Sequence, residues 1–171
     1  MEKIWSPWRS KYIESFKSDS DPAKCIFCQM VNLDPTDTNN LLIDKGTYTF
    51  TVLNLYPYNN GHLMIVPLRH TNDFLSLSKS EYSEVMEKLQ LAQKALLKVF
   101  NPHGFNIGAN IGRVAGAGVE DHVHFHIVPR WNGDSNFMPV IGDVKVISQD
   151  LADTKMKLLK IYSELLVLPD K

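Results

Sequence analysis

The run His122-Val123-His124-Phe125-His126-Ile127-Val128 constrains this chain more than any other segment. Strict alternation of imidazole and apolar side chains fits an extended strand, in which successive side chains point to opposite faces. His122, His124 and His126 then share one face, and Val123, Phe125 and Ile127 the other. The apolar face can enter a core, which leaves a row of imidazoles over a cleft. Half of the chain's six histidines fall in this run. Imidazole attacks phosphorus or carbon, moves protons and binds metal near neutral pH. The residues themselves leave three readings open. These are ordinary packing, a metal site in which imidazoles at i and i+2 reach one ion, and nucleophilic catalysis by the central histidine between two supporting ones.

With 171 residues the chain is long enough for one domain with a sizeable core. A net charge of -1 gives no electrostatic case for DNA, RNA or a membrane surface, while a local basic cleft for a small anion stays open. The segment Met1-Glu2-Lys3-Ile4-Trp5-Ser6-Pro7-Trp8-Arg9 lacks the apolar run of a signal peptide. No stretch approaches bilayer-spanning length. The expected location is the cytoplasm.

Cys25 and Cys28 are the two cysteines. A reducing compartment disfavours a structural disulfide between them, and their spacing suits a metal knuckle or a redox pair. A redox motif belongs between a strand and a helix. Ile26 and Phe27 intervene here and no strong strand precedes them, which favours metal. The pair supplies half of a zinc site, so two further ligands must come from elsewhere.

The first forty residues read as an irregular arm with one or two short helices. Tyr48–Leu53 and His62–Pro67 read as strands joined by the turn Asn54–Gly61, an antiparallel hairpin. Ser78 to Phe100 is the strongest helix: Ser78 caps it with Glu81 as capping-box partner, and Val85, Leu89, Ala92, Leu96 and Val99 recur at helical spacing. Phe105–Ala109 is a strand, the histidine run a further one ending at Pro129, and Val144–Ile147 a short one. Asp150 to Leu166 is a second helix. This order predicts an α+β domain with a mainly antiparallel sheet, one face covered by the long helix.

His62 and His70 lie near strand ends and can join the histidine row. Gly61 before His62 permits close approach of a ligand to the backbone. His103, between Pro102 and Gly104, reads as a turn residue. The loop Asn110–Gly118 is glycine-rich and precedes a strand rather than a helix, so it is no dinucleotide fingerprint. Its N–H groups can converge on an anion, and Arg113 can add charge.

The histidine run resembles the H-φ-H-φ-H-φ-φ signature (φ apolar) of the histidine triad, or HIT, superfamily. Gly61-His62-Leu63-Met64-Ile65-Val66-Pro67 with Asn54-Leu55 and His70 resembles that family's first hairpin, and Cys25-Ile26-Phe27-Cys28 the knuckle of its zinc-bearing branch. Trp5-Ser6-Pro7-Trp8-Arg9 with Tyr12, the phrase Val52–Asn59, and Pro129-Arg130-Trp131-Asn132-Gly133-Asp134 with Asn136-Phe137 are similar to bacterial diadenosine tetraphosphate phosphorylase-like members.

The resemblance implies a HIT-like fold with a five-stranded, mainly antiparallel sheet, a long helix and a C-terminal helix. It implies one domain over 1–171: an arm with the knuckle over 1–40, the core over 41–130 and a terminal loop and helix over 131–171. His124 is implied as a nucleophile that forms a nucleotidyl-histidine. His126 is implied to contact the phosphate or protonate the leaving group, with His62 bordering them. Cys25, Cys28, His70 and His122 are implied as ligands of a structural zinc ion, which the chemical step does not require. Asn54 is implied at the ribose, Ile26, Phe27 and Leu55 at the base, and Asn110, Gly116 and Gly118 at the phosphates. A homodimer joining sheets across an axis is expected.

The sequence departs from many family hydrolases at Ala117-Gly118-Val119. There the family carries Gly-Gln-Ser or Gly-Gln-Thr, and Val119 offers no hydroxyl to the phosphate. The implied function is a nucleotidyl hydrolase or transferase that cleaves an adenosine phosphoanhydride such as diadenosine tetraphosphate, by phosphorolysis or hydrolysis. The rivals are an adenosine phosphoramidase, a nucleotide-binding or signalling module with little turnover, and a metallohydrolase ligated by His122, His124 and His126.

Overall fold

The structure, a computed structural model, describes residues 25–134 and 149–167. The part of the arm before Cys25 and the expected strand Val144–Ile147 lie outside these residues, as do Asn136 and Phe137. The short helix expected in the arm is α1, Ile26–Met30.

The sheet is built from β1 (Leu42–Lys45), β2 (Thr49–Leu53), β3 (Leu63–Pro67), β4 (Gly104–Ala109) and β5 (Phe125–Arg130). Their order is β1-β2-β3-β5-β4, and every neighbouring pair is antiparallel. The β2–β3 hairpin is in register from Thr49↔Pro67 to Leu53↔Leu63, as the apolar runs on both sides of Asn54–Gly61 predict.

The pleat sorts the two faces. Leu53, Leu63, Ile65 and Ile127 point to the face covered by α2 (Lys79–Phe100) and α3 (Leu151–Val167). There they meet Val85, Leu89, Ala92, Leu96, Leu158 and Tyr162, all nearly fully buried. The opposite face carries Leu42, Phe50, Val52, Met64 and Val66, which pack against Cys25 and Phe27 of the knuckle segment. His126 pairs with Met64 and so belongs to this second face. The helices therefore hold the sheet from behind, and the knuckle covers its front beside the histidines.

The start of α2 follows its sequence. The Ser78 hydroxyl accepts from Glu81 N–H at 3.2 Å, and the Glu81 carboxylate accepts from Ser78 N–H at 2.7 Å. The same carboxylate grips Arg69 at 2.8 and 3.0 Å, which ties the turn carrying His70 to the helix.

Three expectations change. First, the fifth strand of the described sheet is β1, which the sequence reading passed over. Its Asp44 is a charge in a buried edge, neutralised by Lys88 of α2, so the residue that disguises the strand is one the fold pairs. Second, β5 begins at Phe125 rather than His122. The preceding backbone bonds elsewhere: Val123 N–H donates to Thr71 C=O at 2.7 Å, and His122 C=O accepts a side chain. Third, Gly61 serves packing. With φ +74° and a Cβ position 2.9 Å from Leu96 Cδ2, its close neighbour is α2.

Candidate active site and metal cluster

The imidazole row survives without the ladder. His122, His124 and His126 are 0 %, 4 % and 8 % exposed, so the row is buried rather than laid over an open cleft. The rings of His124 and His126 meet edge to face with centroids 4.9 Å apart, and His62 lies against His126 at 5.0 Å.

Hydrogen bonds fix which nitrogen of each ring carries the proton. His124 Nδ1 lies 2.8 Å from the carbonyl of His122; a carbonyl only accepts, so Nδ1 is the N–H and Nε2 keeps the lone pair. Tyr58 N–H donates to His62 Nδ1 at 3.0 Å, which makes His62 Nε2 the N–H. That Nε2 lies 2.9 Å from His126 Nδ1, which must accept, so His126 presents Nε2–H. The result is a bare nitrogen on His124 beside a donor on His126. Burial pulls the His124 pKa below the ordinary 6.5, with the bond to the His122 carbonyl acting the other way. A neutral, buried imidazole with an oriented lone pair can act as a nucleophile.

His122 takes the other direction. Its Nε2–H donates to Pro67 C=O at 2.9 Å, which leaves Nδ1 as the free donor atom. That Nδ1 is 3.4 Å from Cys25 Sγ and 3.7 Å from Cys28 Sγ, while His70 Nδ1 is 3.2 Å from Cys28 Sγ. The four ligand atoms all lie within 4.8 Å of one another. Two sulfurs and two imidazole nitrogens at such separations suit one tetrahedral metal ion, and the His122 tautomer already aims the correct nitrogen inward. Burial pushes the His122 pKa down to about 4, the Pro67 bond opposing and the His70 and His124 charges assisting. Burial, then Cys25, raises the Cys28 thiol to about 11, so metal binding must displace its proton.

The residues implied at a nucleotide are placed unevenly. Leu55 is 57 % exposed and open to a ligand. Asn54 is buried; its Oδ1 accepts from Tyr56 N–H at 2.9 Å, and its Nδ2 lies 3.3 Å from His62 Nδ1. Asn110 reaches the Gly116 carbonyl at 3.4 Å and braces the loop, where Gly112 and Gly116 adopt positive φ. Gly118 is half-buried in the same loop. Ile26 is half-buried, whereas Phe27 is 1 % exposed with its ring against His124, His122 and Phe50. Its burial leaves little surface for a base. Beside His126 on the edge strand lies Gly108, where an added Cβ would meet nothing within 4 Å. That open flank lies next to His126 across the ladder.

The sequence reading missed Tyr58 as a site residue. Its N–H sets the His62 tautomer, and its ring lies 4.7 Å from that of His62 and 5.8 Å from that of His126. Its place four residues before His62, inside the turn, was the available signal. Asn59 binds the Pro129 carbonyl and Asp134, and Asp134 grips Arg130 at 2.6 and 2.7 Å. Two of the three phrases that resemble the phosphorylase-like members thus meet in space, the third lying outside the described residues.

The chain is similar to known proteins in sequence and in fold. The chain is 39% identical over 160 residues to an AP-4-A phosphorylase of Mycobacterium tuberculosis, spanning 91% of this chain and 81% of that one. It is 30% identical to an adenosine 5'-monophosphoramidase of Schizosaccharomyces pombe, over 63% of this chain and 75% of the relative. Among solved structures, a Zn-bound histidine triad family protein from Mycobacterium smegmatis shares the fold. Its TM-score is 0.66 at 22% identity, over 85% of this chain and 97% of that chain. The HIT domain pattern matches residues 36–133, and the chain belongs to the HIT family.

Proposed function

We propose that this chain is a nucleotidyl hydrolase or transferase that cleaves the phosphoanhydride of an adenosine compound through a nucleotidyl-His124 intermediate, with diadenosine tetraphosphate the leading substrate. The observation that carries this reading is the pair of ring nitrogens, a bare Nε2 on His124 next to an Nε2–H on His126. The similarity to an AP-4-A phosphorylase supports the substrate.

His124 Nε2 attacks the α-phosphorus, a P–N bond forms, and the P–O bond to the remaining phosphates breaks. The leaving oxygen takes the electron pair, stabilised by the hydrogen bond from His126 Nε2–H. The phosphorylated ring carries positive charge, which the His122 carbonyl stabilises through Nδ1–H. Burial disfavours that charge, so the intermediate is reactive and is discharged by water or by orthophosphate. The N–H of Gly118 takes the place of the hydroxyl that Val119 lacks; the Gly116 N–H is bonded to the Arg113 carbonyl at 2.9 Å and the Arg113 guanidinium to Glu120 at 2.6 Å. Leu55 and Ile26 receive the base, and the Asn54 Oδ1, with a second lone pair, receives the ribose.

Cys25, Cys28, His70 and His122 hold one zinc ion in this reading. Four protein ligands close its shell, and the bound metal supplies a cross-link between knuckle and histidine row. The edge strand β4, with Ile107 exposed, supports a homodimer joined along that edge. No described helix is long and apolar enough to cross a membrane.

The test is a product assay on diadenosine tetraphosphate with and without orthophosphate. A phosphorylase yields ADP and ATP only when phosphate is supplied, and a hydrolase yields AMP and ATP without it. No cleavage under either condition contradicts the reading.

A further inference from the structure

The donor on His126 depends on a turn outside the imidazole row. His126 presents Nε2–H because its Nδ1 accepts from His62, and His62 donates there because its own Nδ1 accepts from Tyr58 N–H at 3.0 Å. The last link is a backbone amide in the turn 54–61, so the seating of that turn decides which nitrogen of two rings carries the proton. Asn59 seats it. Its C=O accepts from His62 N–H at 3.2 Å. Its Nδ2, with two hydrogens to give, donates to Pro129 C=O at 3.1 Å and to Asp134 Oδ2 at 2.9 Å. Strand β3 starts at Leu63, opposite Ile127, so Asn59 carries the contact with β5 past the end of that ladder.

Asp134 is itself held. Gly133, at φ +80°, turns the chain back, and the carboxylate accepts from Trp131 N–H at 3.0 Å and from the Arg130 guanidinium at 2.6 and 2.7 Å. Arg130 also reaches Asn106 Oδ1 on β4 at 2.7 Å. A carboxylate gripped through both oxygens by a guanidinium is a fixed acceptor. We propose that Asn59 and Asp134 are positioning residues for the His126 donor: their bond clamps the turn to β5 and keeps Tyr58 N–H on His62. This rests on the reading of His126 as the group that stabilises the leaving oxygen. The Asn54 amide, 3.3 Å from the same His62 nitrogen, is a longer second donor, so a loosened clamp weakens the relay rather than abolishing it.

The test uses Asn59→Ala, which removes both side-chain donors, and Asp134→Asn, which keeps the shape and removes the charge that holds Arg130. Two quantities are followed: the rates on diadenosine tetraphosphate and on a p-nitrophenyl ester of AMP, and the ¹⁵N signals of His62 and His126, which report the protonated nitrogen of each ring. With Asn59→Ala, cleavage of the dinucleotide is expected to slow by about 10-fold, with the p-nitrophenyl ester nearly unaffected and both histidine spectra shifted towards mixed tautomers. Asp134→Asn is expected to do the same to a smaller degree. Equal losses on the two substrates, an unchanged rate on the dinucleotide, or His62 and His126 signals identical to wild type overturn the proposal. If the wild-type protein does not cleave the dinucleotide, the parent reading fails, and the spectra alone decide the clamp: shifted signals uphold it and unaltered ones overturn it.

Discussion

His122 and His124 are joined by one hydrogen bond, from the Nδ1–H of the second ring to the backbone carbonyl of the first, at 2.8 Å. The ring of His122 meanwhile faces Cys25 and Cys28. One residue thus serves two systems: its side chain belongs to the Cys2His2 cluster, and its backbone orients the ring of His124, the nucleophile of the proposed reading. The alternation that opened the sequence reading makes this possible, because residues i and i+2 project to the same side.

The first prediction concerns the leaving group. If His126 Nε2–H stabilises it, then His126→Ala slows cleavage of diadenosine tetraphosphate by about 10²–10⁴-fold. The same variant retains most of its activity on a p-nitrophenyl ester of AMP, whose leaving group needs little help. Steady-state rates on the two substrates check this; equal losses on both contradict it.

The second concerns pH. Burial holds the His124 pKa below 6.5, so the neutral ring persists to lower pH than in a free imidazole. The acidic limb of kcat/KM is expected below pH 6.5, and activity is expected to fall as pH drops through it. A limb at or above the ordinary imidazole value contradicts the assignment.

A third prediction follows from the metal cluster. Cys28→Ser removes one of its sulfur ligands, and metal content measured by elemental analysis is expected to fall from one ion per chain towards zero. Thermal stability is expected to drop by more than about 3 kcal/mol, since loss of a structural metal is among the largest single-residue effects. The covalent step is slowed but not abolished, because the nucleophile itself stays. Full stability without metal would show that the cluster does not cross-link the fold.

Glu81 gives a fourth, on stability. Its carboxylate completes the capping box and holds Arg69, whose hydrogen bond, more than any other contact, lowers its pKa from 4.5 to about 2. A carboxylate with a depressed folded-state pKa stabilises above its unfolded value and loses that contribution as pH falls through the folded one. Glu81→Ala is therefore expected to cost about 1–2 kcal/mol near neutrality. The difference from wild type should shrink between pH 4.5 and about 2, as seen by urea denaturation across that range. A difference independent of pH contradicts this account.

Much of the sheet and helix α2 was legible because each element obeys its own period. The β2–β3 hairpin is bounded by turn residues, and α2 carries both an apolar stripe and a capping box. Strand β1 was not legible, since Asp44 breaks the apolar pattern and Lys88, which neutralises it, is forty-four residues away. The ligand atoms Cys25, Cys28, His70 and His122 were named from a resemblance, and the structure brings them together. The separation of roles between His122 and its neighbours was visible only in three dimensions, where the hydrogen bonds at one nitrogen of each ring fix the state of the other. Phe27 shows the limit from the other side: the sequence offers it as a base contact, and its burial against two imidazoles is seen only in the fold.

The central claim is a covalent bond at position 124, and rapid acid-free denaturing quench of protein mixed with labelled diadenosine tetraphosphate tests it most directly. The account predicts one AMP moiety on the peptide containing His124, absent from His124→Gly, together with a fall in turnover of at least about 10³-fold in that variant. Full turnover in His124→Gly, or product formed in a single turnover with no labelled protein at any time, would contradict it.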